Sequence, residues 1–136
     1  MTAPAITAVY LAILALFYAA LSARVVSLRR RLRISLGDGG NEALRCAIRA
    51  HGHFAEYVPI TVLMIAILEM SGASSVLIHM LMGLLLLSRL LHPIGIHAKP
   101  GSRKFNIGRV GGMTLTLAVM VASAVGLLSR FVFGIV

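Results

Sequence analysis

The feature that most constrains this chain is its first 23 residues. Met1 to Ala23 carries no charged side chain, a run long enough to cross a hydrocarbon core of about 30 Å as a helix. Hydrophobic residues make up 59% of the 136-residue chain and charged ones only 12%. That balance excludes an ordinary soluble globule and points to one all-α membrane domain over residues 1–136. No basic stretch precedes the apolar run. The arginines follow it, so the segment reads as a retained first membrane helix rather than a cleaved signal peptide.

The rest of the chain repeats the pattern. Helices are expected over about residues 3–33, 41–68, 76–91 and 109–131, the first running past the membrane into Arg24–Arg33. Ser35-Leu36-Gly37-Asp38-Gly39-Gly40-Asn41 is a loop, with Asn41 as the N-cap of the second helix and Glu42 favourable in its first turn. The glycines lack the Gly-Lys-Ser/Thr ending of a phosphate loop. Pro59 is expected to kink the second helix. Glu69–Ser75 makes a short turn, and Pro93 with Gly95 is expected to end the third helix near His92. His97–Gly108 reads as a polar loop. Ala8, Ala12, Ala15, Ala19 and Ala23 form a ridge of small side chains on the first helix, and Ala118, Ala122 and Gly126 form another on the fourth. Such ridges let a second helix approach closely.

Charge sets the expected orientation. Of the 13 basic residues, 12 flank the first and third loops, and only Arg130 stands on the other side. The positive-inside rule puts both basic loops in the cytoplasm and both termini outside it. The net charge of +9 therefore reflects topology rather than nucleic acid, for which no aromatic platform or groove-reading motif is present. A single cysteine, Cys46, excludes an intramolecular disulfide and reads as a small apolar residue near the membrane surface.

Chemistry concentrates on the second helix. At 100° per residue, Arg49, His53 and Glu56 share one stripe, with Arg45 one turn back. Ionisable groups on a membrane helix cost roughly 2.5–3.5 kcal/mol each and face protein or a polar cavity. Arg89 and His92 near the end of helix three, and Arg109 at the start of helix four, approach the same side. The sum is a cationic site with one buried carboxylate, Glu56. It suits a small anion that also carries an ammonium or amide group. An arginine on another helix, pairing with Glu56 to hold the bundle, is the equal alternative. A metal site is not expected. His51 and His53 point about 200° apart on a helix, and His92 and His97 straddle Pro93 without ligand spacing. His79 reads as a hydrogen-bonded interior or interfacial histidine, and the seven methionines as gap-fillers.

The run Arg49-Ala50-His51-Gly52-His53-Phe54-Ala55-Glu56-Tyr57-Val58-Pro59 resembles the signature of the MAPEG family, the membrane-associated proteins in eicosanoid and glutathione metabolism. The resemblance is to its bacterial branch and to the microsomal glutathione transferases. It covers nearly the whole chain. It implies a bacterial inner-membrane homotrimer of four-helix subunits, with glutathione bound between neighbouring subunits near the cytoplasmic side. Arg49, Glu56 and Tyr57 match glutathione contacts outright. His53 stands where better-known members have asparagine, His51 where some have glutamine, and His92 where some have tyrosine. Arg29 is the best match for a basic contact at the end of helix one, with Arg30 and Arg33 beside it. Arg109 matches the arginine that stabilises the glutathione thiolate. The resemblance implies conjugation, or peroxide reduction, of small hydrophobic electrophiles. A non-catalytic membrane scaffold and a small transport subunit are the alternatives.

Overall fold

The computed structural model describes residues 3–96, 98–99, 101–132 and 134. Met1, Thr2 and His97 lie outside the described residues. Four helices form an up-down bundle: α1 (Ala5–Leu32), α2 (Glu42–Met70), α3 (Ser75–Ile96) and α4 (Gly112–Phe131), the last preceded without a break by a π-helical stretch, Phe105–Gly111. Each is long and apolar enough to cross a membrane.

α2 is the centre. Leu44, Ala47, Ala50, Phe54, Val58, Val62, Ile65 and Leu68 are buried on it, a stripe at helical spacing that packs against all three other helices. Ile78, Met82 and Leu85 face it from α3, and Thr116, Val119 and Ser123 are buried on α4. Only Thr7, Leu14 and Leu21 of α1 are buried. Their seven-residue spacing is the narrow seam of a coiled-coil contact. The Ala8, Ala12, Ala15, Ala19 and Ala23 ridge is exposed, as are Ala118 and Ala122.

Two ends of the bundle are fixed by polar contacts. Asn41 Oδ1 accepts the Leu44 N–H at 3.0 Å and caps α2 as expected. At the opposite end α1 starts at Pro4 with no side-chain cap of its own. Glu69, read from sequence as a turn residue, supplies the cap from the last turn of α2. Its carboxylate accepts the Ile6 and Thr7 N–H groups at 2.8 and 2.9 Å and the Thr7 hydroxyl at 2.6 Å. A negative charge at a helix N-terminus meets both the orphan donors and the dipole. Arg130 also stays at this end, donating to the Ser71 carbonyl. His79 is exposed and shares a 3.3 Å hydrogen bond with the Tyr10 hydroxyl.

The structure corrects the sequence reading at two helix ends. α3 does not stop at His92. It continues through Pro93 to Ile96, and the fourth helical segment begins at Phe105, inside the stretch read as loop. The cause is the contact between them. Gly95 and Gly108 bring the α3 and π-helical backbones together so closely that a Cβ on Gly108 would lie 2.5 Å from the Gly95 nitrogen. Close backbone packing holds a helical turn that local signals would end.

Glu42 at the start of α2, Ile96 at the end of α3 and Arg109 before α4 line one cavity, so the two basic loops share one end of the bundle. Reporter fusions after Gly37 and Gly101 are therefore expected to give cytoplasmic readouts, and one after Ser74 the opposite. A non-cytoplasmic readout after Gly37 would contradict this orientation.

Candidate functional site

The cavity at the basic end has a volume of about 220 Å³ and is lined by Arg49, His53, Cys46 and Arg109, with Ile96 below and Glu42 and Arg45 at its side. Glu42 and Arg45 are ion-paired, one turn apart on α2, and this is the one salt bridge among the described residues. Their charges cancel, which leaves Arg49 and Arg109 as the net charge of the lining. Arg109 leaves the π-helical turn with its guanidinium 5.4 Å from the centre of the Phe105 ring, a cation–π contact at the charged end of the side chain. Single π turns are frequent at functional sites because they re-aim one side chain within an otherwise regular helix. Cys46 is buried, donating weakly to the Ile96 carbonyl at 3.5 Å, as its reading as a small apolar residue implies.

Beneath the cavity lies a polar network that the sequence reading placed near the helix end and did not resolve. Arg89 is only 2% exposed. It donates to the His53 carbonyl of α2 at 3.4 Å, to the Gly112 carbonyl of α4 at 3.5 Å, and to the Thr116 hydroxyl. Thr116 in turn shares a 2.9 Å bond with Ser88. One guanidinium thus ties α2, α3 and α4 together through neutral oxygens, with no carboxylate beside it among the described residues. His53 Nδ1 and His92 Nε2 are 2.9 Å apart, directly joining α2 to α3.

The structure therefore brings together Arg49, His53, His92 and Arg109, with Arg89 below them. It places the other expected residues elsewhere on the single chain. His51 stacks on Tyr18 of α1, with ring centres 4.6 Å apart, on the far side of α2 from His53. Arg29 is spent on its own loop, where it donates to the Ser35 and Gly37 carbonyls at 3.1 and 3.0 Å. Arg30 and Arg33 carry the exposed charge there. Tyr57 is half-buried, edge-on to His53 with centres 6.4 Å apart. Glu56, expected to be the buried carboxylate of the site, is exposed and has no ion-pair partner among the described residues. Its side chain runs back over Gly52 toward the basic end. The bundle-pairing role is not filled for Glu56 by the described residues of one chain. No group of His, Cys, Asp or Glu with metal-holding geometry occurs among the described residues.

Two comparisons with known proteins give the chain its family. The MAPEG family pattern matches residues 7–129. Inner membrane protein YecN of Escherichia coli K12 is 39% identical over 92 residues, covering 68% of this chain and 70% of that protein. The same protein from Escherichia coli O6:H1 matches to the same extent. No solved structure matches. This chain belongs to the MAPEG family.

Proposed function

We propose that the protein is a bacterial inner-membrane homotrimer that binds glutathione in the cavity at the basic end and transfers it to hydrophobic electrophiles. The observation that carries this reading is the convergence of Arg49 from α2 and Arg109 from the π-helical turn on one cavity whose only carboxylate is already paired. Such a site favours an anion with more than one acceptor group. The exposed Ala8–Ala23 ridge and the unpartnered Glu56 support an assembly in which a neighbouring subunit completes the site. The inner-membrane location is carried over from YecN, an inner membrane protein.

In this reading the peptide's carboxylates meet Arg49 and an arginine from the end of a neighbour's α1. Its ammonium meets Glu56, and its sulfur lies by Arg109. A free thiol has a pKa near 8.5 and reacts as the thiolate. Lowering that value by about 1.5 units takes roughly 2 kcal/mol of preferential thiolate stabilisation. A guanidinium in a pocket screened from water can supply this without giving up a proton. The apolar electrophile reaches the sulfur from the lipid.

The test is calorimetric titration of glutathione into the wild type, Arg49→Ala and Glu56→Gln. Each variant removes a charged hydrogen bond, so binding should weaken by about tenfold to a hundredfold. Mass in mild detergent should stay at about three times 14.5 kDa of protein. Unchanged binding in both variants would contradict the reading. Loss of the trimer together with binding would favour the scaffold alternative.

A further inference from the structure

The end of the bundle opposite the basic loops carries a cavity that the glutathione reading does not use. It has a volume of about 350 Å³ and lies where α2 ends, α3 starts and α4 ends. Leu68, Leu77 and Gly126 give it apolar walls, and Ser74 and Arg130 are its polar groups. Gly72, at φ 89°, lets the guanidinium approach, since a Cβ there would lie 3.3 Å from Arg130 Nη2. Ser74 accepts the Leu77 N–H through its Oγ at 3.3 Å, which leaves its hydroxyl hydrogen to donate.

Arg130 is half-buried and unmatched in charge. A guanidinium has five N–H donors, and among the described residues only the Ser71 carbonyl accepts from this one. The chain has four acidic side chains, Asp38, Glu42, Glu56 and Glu69. Asp38 stands in the first loop and Glu42 is paired with Arg45, both at the basic end. Glu56 lies about 20 Å along α2 from its last turn. Glu69 is at the same end as Arg130, but its carboxylate is taken by the Ile6 and Thr7 N–H groups and the Thr7 hydroxyl. A further copy of the chain brings the same four carboxylates in the same places. The cavity therefore offers a cation to an anion from outside the protein.

Depth in the membrane selects the anion. α3 has 22 residues, about 33 Å at 1.5 Å per residue, against a hydrocarbon core of about 30 Å. A spanning α3 puts Ser74 and Arg130 at the level of the lipid headgroups, with Leu77 and Leu68 one step deeper. Leu77 is 42% exposed, so this wall is open to the lipid. We propose that the cavity binds a phospholipid of net negative charge, its phosphate accepting from Arg130 and Ser74 and the start of one chain lying against Leu68, Leu77 and Gly126. A zwitterionic headgroup would bring its own cation up to Arg130 and is disfavoured. The site is separate from the glutathione cavity and does not rest on that reading.

Native mass spectrometry of delipidated full-length protein in mild detergent, titrated with phosphatidylglycerol or phosphatidylcholine of the same chains, counts the lipids held. The basic end attracts anionic lipid as well, so the readout is the difference between variants. At the same lipid concentration the wild type should hold one more phosphatidylglycerol per chain than Arg130→Gln, whose affinity for that lipid should fall about tenfold, the effect of one charge-assisted contact. Arg130→Lys should keep it, and phosphatidylcholine binding should be the same in all three. Gly126→Leu retains the charge but fills the cavity, since a Cβ there already meets Leu68 at 3.5 Å. It should lose the same lipid, and it decides the matter if Arg130→Gln does not fold. Phosphatidylglycerol binding that matches the wild type in Gly126→Leu, or in folded Arg130→Gln, would overturn the proposal and leave Arg130 as a clamp between α4 and the end of α2. Inorganic phosphate at millimolar excess should not displace the lipid. Displacement would make this a site for free anions and overturn the lipid assignment.

Discussion

Gly108→Val is expected to push α3 away from the start of α4 and to destroy the cavity. A Cβ at residue 108 would lie 2.5 and 2.6 Å from the nitrogen and Cα of Gly95, and 2.9 Å from the Leu91 carbonyl oxygen. These are backbone atoms and cannot rotate away. Overpacking of a well-packed core costs about 1–3 kcal/mol, and this contact should reach about 3 kcal/mol or more, since two helices must separate. Arg109 is the next residue and leaves the cavity with them. Thermal unfolding in detergent, followed by circular dichroism, should show a large drop in midpoint. Gly111→Ala is the control, because its Cβ would meet only the Asn106 carbonyl, at 3.4 Å. An unchanged midpoint in Gly108→Val would show that the Gly95–Gly108 contact does not hold α3 to α4.

Arg109→Ala should act on chemistry and leave the fold intact. Arg109 is exposed on the single chain and, among the described aromatic groups, its guanidinium touches only the Phe105 ring, so little packing is lost. If it stabilises the bound thiolate, the thiol pKa should return toward about 8.5. At pH 7 a shift from about 7 to about 8.5 leaves roughly fifteenfold less thiolate, and turnover should fall at least as far. The sign follows from the charge: the cation favours the ionised form, so its removal moves the thiolate absorbance to higher pH. Binding of the thiol form should change little. An ultraviolet titration that matches the wild type, together with full turnover, would remove Arg109 from this role.

Much of the architecture was legible because its causes are local. An uncharged run such as Met1–Ala23 has few alternatives to a membrane helix, and the Asn41 cap is written in one residue and its neighbours. The arginine, histidine and glutamate spacing on α2 placed Arg49 and His53 on one face, and both line the cavity. What was not legible depends on contacts between distant parts of the chain. Glu69 looks like a turn residue until α1 is seen starting above it, 63 residues away in sequence. Pro93 and Gly95 look like a stop, yet Gly95 is the surface on which Gly108 packs, and that contact carries α3 to Ile96. Arg89 reads as one more cation at a helix end, because nothing local reveals the carbonyls of His53 and Gly112 that surround it. Family resemblance placed His51 and Arg29 in the site, and helical spacing as well as resemblance placed Glu56 there, while the single chain turns His51 to Tyr18 and Arg29 to its own loop and leaves Glu56 exposed. Matched positions carry residue identity, but the direction of a side chain is set by the helix on which it sits and by the surface that helix faces.

The central claim is that this cavity takes glutathione, and calorimetric titration of the tripeptide into purified wild-type protein in mild detergent tests it most directly. The account predicts saturable binding that Arg49→Ala and Glu56→Gln each weaken while the assembly keeps its mass. Wild-type protein of intact assembly that shows no saturable binding at millimolar glutathione would contradict it.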